Sequence, residues 1–107
     1  MSQHVEAMTA TIIVEGVFRP GHEAYFRDYS TLVRRYLDKH QGRVIRRQRI
    51  ERVLYGAEKP DLVMVIDFPD RALAERIFFE QEYLDIIPLR EKVFSRFNMF
   101  LAGFGDI

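Results

Sequence analysis

Apolar positions along this chain follow two periods, and the switches between them mark the elements. Thr9 to Phe18, TATIIVEGVF, is rich in β-branched residues and reads as a strand. Arg19-Pro20-Gly21 stops it. From His22 to His40, the residues Tyr25, Phe26, Tyr29, Leu32, Val33, Tyr36, Leu37 and His40 recur at helical steps, one apolar face of a helix of about five turns. Gln41-Gly42 ends it, with Gly42 suited to the left-handed position after a helix. An arginine-rich strand is expected from Arg43 to about Tyr55. A turn over 56–61 then joins it as a hairpin to a second clear strand, Leu62 to Phe68. Asp70 is a fitting N-cap for a second helix with Leu73, Ala74, Ile77 and Phe78 on its apolar face. A short turn is expected over Tyr83–Ile87, and Pro88 opens another at Leu89-Arg90-Glu91. Phe94 to Phe104 closes the chain as a strand, with Phe97, Met99 and Leu101 on one side and Phe94, Phe100 and Phe104 on the other.

The resulting order, β-α-β-β-α-β, specifies an α+β ferredoxin-like sandwich: a four-stranded antiparallel sheet with both helices on one face. Residues 1–107 are expected to form a single domain, with residues 1–8 a flexible N-terminal segment. Two helices cover only one face of such a sheet, and the other should then alternate to polar. The pattern resists this. One side of Leu62–Phe68 is Leu62, Met64, Ile66 and Phe68, and the other is Val63, Val65 and Asp67. In the first strand Thr11, Ile13, Glu15 and Val17 oppose Ile12, Val14, Gly16 and Phe18, and the last strand shows no polar side. A large apolar sheet face calls for a twofold partner, sheet against sheet, so a homodimer is expected.

Charge narrows the partners. The 107 residues carry 16 Lys+Arg and 16 Asp+Glu, a net charge of zero, which removes the long-range field that nucleic-acid binders use. There is no cysteine, so a disulfide framework, a thiolate nucleophile and a cysteine-ligated metal are excluded. The N-terminal MSQHVEAM lacks a signal-peptide pattern, and the apolar run Leu62–Ile66 is too short to span a bilayer. A cytoplasmic protein without nucleic-acid or membrane partners is the expectation.

Several residues carry possible chemistry, each with a plainer structural alternative. The arginines of GRVIRRQRIERVLYG alternate, with Arg43, Arg47 and Arg49 on one side and Arg46 and Arg52 on the other. They suit protection of a sheet edge and a dimer rim, with Arg43 the best candidate for an anion site. Glu15 and Asp67 are carboxylates on otherwise apolar strand sides, where desolvation makes a general base; a strand-end position or an arginine partner is the plain alternative. His4, His22 and His40 show no metal spacing; His22, at a helix start, is a candidate base or a solvated side chain. Tyr83 and Arg90 after the second helix suit a carboxylate or carbonyl oxygen, or simple packing and ion pairing. Any pocket between the first helix and the sheet is lined by that helix's tyrosines, Tyr29 among them.

From Gly42 onward the chain resembles a small bacterial family known as domain of unknown function 1330. The likeness rests on Gly42-Arg43, on Val65-Ile66-Asp67-Phe68-Pro69, and on Glu82-Tyr83 with Leu89-Arg90, with Tyr25 and Tyr29 also in keeping. It implies the dimeric α/β-barrel fold of antibiotic-biosynthesis monooxygenases, with Arg43, Asp67, Tyr83 and Arg90 as the positions that carry over. The chain departs from the family pattern at Glu80-Gln81, Tyr55 and Ala102, and has no aspartate in Arg19-Pro20-Gly21. An activity resting on those acidic groups is then absent here.

Three readings follow. The first is a homodimeric binder of a small anionic or aromatic molecule, with Arg43 and Arg90 holding the anionic group, Tyr83 orienting it and Tyr29 lining the pocket. The second is a cofactor-independent monooxygenase- or isomerase-like enzyme with Asp67 or His22 as base and Arg90 as electrostatic stabiliser. The third is a structural or regulatory dimer without ligand. None calls for a metal or cofactor.

Overall fold

A computed structural model describes residues 9–103. His4, the segment 1–8 and the expected strand end at Phe104 lie outside the described residues. The elements are β1 (Ala10–Phe18), α1 (Glu23–Lys39), β2 (Arg43–Arg49), β3 (Leu62–Phe68), α2 (Arg71–Arg76), a 3-10 turn (Ile77–Phe79), α3 (Gln81–Leu84), α4 (Ile87–Val93) and β4 (Phe94–Ala102). The strands form one sheet in the order β2-β3-β1-β4, antiparallel at every junction. This is the ferredoxin-like arrangement.

Period-two burial explains which sheet face is covered. Ala10, Ile12 and Val14 of β1 and Leu62, Ile66 and Phe68 of β3 are buried, together with Val33, Tyr36 and Leu37 of α1 and Ile77, Phe78, Tyr83 and Val93 from the later turns. These form one core between sheet and helices. Caps fix the helix ends. The Asp70 carboxylate accepts from Ala72 N–H at 3.0 Å, as expected of that residue. At the end of α1, the left-handed residue is Gln41 (φ 64°) and not Gly42. The N–H of Gly42 bonds Leu37 O at 2.8 Å, a helix-closing bond that sets Gln41 in the strained position. Glycine is required at 42 for space: a Cβ there would come within 2.9 Å of Leu37 and Phe68 side chains.

Three strand expectations are corrected. β2 ends at Arg49, well short of Tyr55. After the bond from Ile50 N–H to Asp61 O, the chain leaves the ladder as an arm, with Leu54 87% and Tyr55 100% exposed. Second, a bulge in β2 places Val44 opposite Ile66 and Arg46 opposite Val65, so Ile45 has no partner. That extra residue shifts the alternation. Arg43 and Arg46 belong to the open face and Arg47 and Arg49 to the helix face, so Arg43 and Arg47 do not share a side. Third, a register shift at Val17/Phe18 pairs Phe18 with Phe94, and Phe94 joins Phe97 and Met99 on the helix side. The open face of β4 is then Arg96, Asn98, Phe100 and Ala102, more polar than the sequence pattern implies. What is apolar on that face is chiefly one row across the strands, Val65-Ile13-Phe100, flanked by polar rows such as Asp67-Thr11.

Candidate functional site

A cavity of about 330 Å³ lies between α1 and the helix-side face of the sheet and touches all four strands. α1 packs on α4, and every residue of β2 is exposed. Its walls are apolar and aromatic, with Val14, Met64, Ile66, Phe94, Phe97 and Met99 from the sheet and Phe26, Val33 and Phe78 facing them. Gly16 lets the Phe94 ring lie flat on β1; a Cβ at that position would overlap the ring. Arg34, Asp38, Arg43 and Arg47, all exposed, border the opening. The Arg47 guanidinium sits 5.0 Å from the centre of the Phe26 ring, bridging the mouth to α1.

At the floor two tyrosines meet. Tyr29 Oη and Tyr83 Oη are 2.8 Å apart and buried. Arg90 stands one layer behind, its Nη1 donating to Tyr83 Oη at 3.2 Å. The guanidinium lies 4.6 Å from the Phe97 ring centre and 5.9 Å from that of Tyr83. Its buried Nε has no hydrogen-bond partner. Burial above all, then Tyr83 beside it, pushes the Tyr29 hydroxyl far above its ordinary range, with Arg90 pulling slightly the other way. Tyr29 is therefore a neutral hydroxyl at any ordinary pH. Tyr36, the next tyrosine on the same face of α1, is occupied elsewhere: its hydroxyl donates to Ile77 O at 2.6 Å and ties α1 to the 3-10 turn.

The expected site residues separate. Tyr29 and Tyr83 line the cavity together, whereas Arg90 reaches it only through Tyr83 because its guanidinium is stacked on Phe97. Arg43 borders the rim, but its register opposite Asp67 assigns it to the open face. Asp67 lies on that open face as well, accepting from Thr11 Oγ1 at 2.9 Å, with the sheet between it and the cavity. Glu15, opposite Val63 and Asn98, is there too. His22 is stacked on Phe18 at 4.0 Å, with Nδ1 2.8 Å from Arg19 O, in a separate groove at the far end of β1 with Asp61 and Lys59. An enzyme using Asp67 or His22 with Arg90 would have its base in a different place from its stabiliser. Among the described residues, no ion pair involves Arg43, Asp67 or Arg90. No group of three metal-ligating side chains forms among them either. Sequence reasoning missed Phe94, Phe97, Arg34 and Arg47. The first depends on the register shift and Arg47 on the bulge.

Residues 10–104 match the model of the family described as domain of unknown function DUF1330. The chain belongs to that family. Among curated proteins none matches it. Solved structures share the DUF1330 chain's fold at low identity. A protein of unknown function from Rhodopseudomonas palustris, RPA0582, superimposes with a TM-score of 0.80 at 14% identity, over 94% of this chain and 85% of that one. SnoaB, a cofactor-independent oxygenase from Streptomyces nogalater, gives 0.65 at 13% identity, over 94% and 96%. A dimeric protein of unknown function with a ferredoxin-like fold from Bacteroides fragilis gives 0.60 at 8% identity, over 90% and 96%. At these identities the likeness establishes the fold alone.

Proposed function

We propose that this DUF1330 protein is a homodimer, each subunit of which binds a small anionic or aromatic molecule between α1 and the sheet. The observation that carries the reading is the cavity itself: aromatic walls, a buried tyrosine pair at its floor and arginines at its mouth. Its volume is at the lower end for small-molecule pockets. The arginines at the mouth have no carboxylate partner among the described residues, which leaves them available to an anion. Arg90 acts from behind, through Tyr83. A thermal-shift screen of small acids, phenols and quinones tests this, since a bound compound raises the melting temperature by mass action. A screen with no stabilising compound contradicts it.

Dimerisation rests on the open face. The row Val65-Ile13-Phe100, with Phe100 51% exposed, is bordered by Thr11, Glu15, Asn98 and Arg46. An apolar centre with a polar rim is the composition of an interface between subunits. Sedimentation equilibrium should give twice the chain mass, and a Phe100→Asp variant should shift it to a monomer. The enzymatic reading is less favoured, because neither Asp67 nor His22 borders this cavity. Among the described residues, the catalytic alternative then has only Asp38, at the exposed mouth, as a carboxylate lining the cavity.

A further inference from the structure

The hydrogen-bond order at the cavity floor says more about the ligand than the cavity's size does. Arginine can only donate, so the Arg90–Tyr83 bond runs from guanidinium to Tyr83 Oη. Two hydroxyl hydrogens then remain for the one contact between Tyr29 Oη and Tyr83 Oη. If Tyr83 donates, the Tyr29 hydrogen is left over; if Tyr29 donates, the Tyr83 hydrogen is. Neither hydroxyl has another acceptor among the described residues, and both residues line the cavity. Either way the floor presents one unspent O–H donor, backed by a cation, to a space with apolar inner walls. Leaving such a buried donor unmade is costly, and a ligand that supplies the acceptor removes the cost.

Resting on the proposed pocket, we infer that the ligand is a planar aromatic compound that enters oxygen first. Its phenolate or carbonyl oxygen accepts from the Tyr29–Tyr83 pair. The rings of Phe26, Phe94 and Phe97 hold its apolar body, and Arg34 and Arg47 lie toward the solvent end. For a phenol in this position, the donor and the Arg90 charge behind it favour the ionised form and oppose the desolvation of the cavity. Tyr29 stays protonated meanwhile, since its own ionisation is suppressed by burial. Arg90 is a positioning residue here, fixing the direction of the chain of bonds and adding charge without touching the ligand.

A trifluorophenol, with trifluorobenzene as its neutral counterpart, separates this inference from the pocket reading. Fluorine NMR reports both binding and ionisation. The measurement is made with the intact wild-type protein below the phenol's own pKa. The expected result is binding of both probes, with the bound phenolate-to-phenol ratio about tenfold above that of the free phenol, the equivalent of one pKa unit. Either tyrosine alone still presents a free hydroxyl hydrogen, so the double variant Tyr29→Phe/Tyr83→Phe is the test: it should keep trifluorobenzene binding, which also certifies its fold, and lose most of that ionisation; Arg90→Gln should lose part of it. If neither probe binds, the pocket reading itself fails. If both bind but the phenol is no more ionised than in solution, the inference is overturned and the pocket stands. Enhanced ionisation that survives unchanged in the double variant overturns it too, by assigning the anion to the arginines at the mouth.

Discussion

Replacing Tyr29 by phenylalanine removes one oxygen atom from the best-defined polar contact in the core, and its cost is calculable. Tyr29 is 6% and Tyr83 1% exposed, and their hydroxyl oxygens are 2.8 Å apart. A neutral buried hydrogen bond contributes about 1 kcal/mol net, and the hydroxyl left behind adds to the loss when nothing else accepts its hydrogen. Tyr83 keeps its bond from Arg90 and borders a cavity that can admit water, which limits the penalty. Tyr29→Phe should therefore cost about 1–2 kcal/mol. Tyr83→Phe should cost more, about 3 kcal/mol, because it also leaves Arg90 Nη1 without its acceptor, beside an Nε already unpartnered. The double variant should be less destabilised than the sum by roughly 1 kcal/mol, since the shared bond is lost only once. Urea unfolding gives all three values, provided the slope is unchanged and only the midpoint moves. Costs below about 0.5 kcal/mol for both single variants, or strict additivity, would refute the reasoning that these groups form one connected chain.

Other perturbations check other parts of the structure. Burial, then Glu80, Glu82 and Tyr83, push Tyr36 from its ordinary 10.0 to about 12. The fold holds the neutral phenol, so this contribution is complete below pH 10.0 and is lost as pH rises toward about 12. In Tyr36→Phe the alkaline loss of stability, followed by chemical unfolding, should be shallower by about 1.4 kcal/mol per pH unit across that window. Asp61 is held below its ordinary 3.8 chiefly by the Phe18 N–H, with Lys59 assisting. Its contribution is present above that value and lost as pH falls through the lower, folded one. Asp61→Asn should flatten the acid limb of a melting-temperature profile and cost no more than about 1 kcal/mol near neutrality, given its partial exposure. Gly42→Ala, pressing a methyl to within 2.9 Å of Leu37 and Phe68, should destabilise by about 1–3 kcal/mol in calorimetry.

The element order was legible, and with it the ferredoxin-like sheet, because β-branched runs around Ile12, Val14 and Ile66 marked strands and Tyr29, Val33, Tyr36 and Leu37 recur at helical steps. Asp70 announced its own cap. The site was half legible. Tyr29 and Tyr83 could be placed in a pocket from their elements, but the separation of Arg43 from Arg47 turns on one unpaired residue, Ile45, which has no signature among neighbours that all favour strand. Phe94 changes faces for the same kind of reason at Val17/Phe18. The arm beyond Arg49 was hidden by Val53, Leu54 and Tyr55, which continue the strand composition where β3 offers no further partner. Asp67 looked like a base because its neighbours are apolar, yet those neighbours on its own face form the open side of the sheet.

The account's central claim is that a ligand occupies the space between α1 and the sheet. The most direct test titrates the stabilising phenols and small acids by calorimetry into the wild-type protein and into Val33→Phe, which fills that space from α1. The account predicts saturable heat with the wild type and its loss in a variant that melts no lower than about 5 °C below it. Equal binding by both proteins, or none by the wild type, would contradict it.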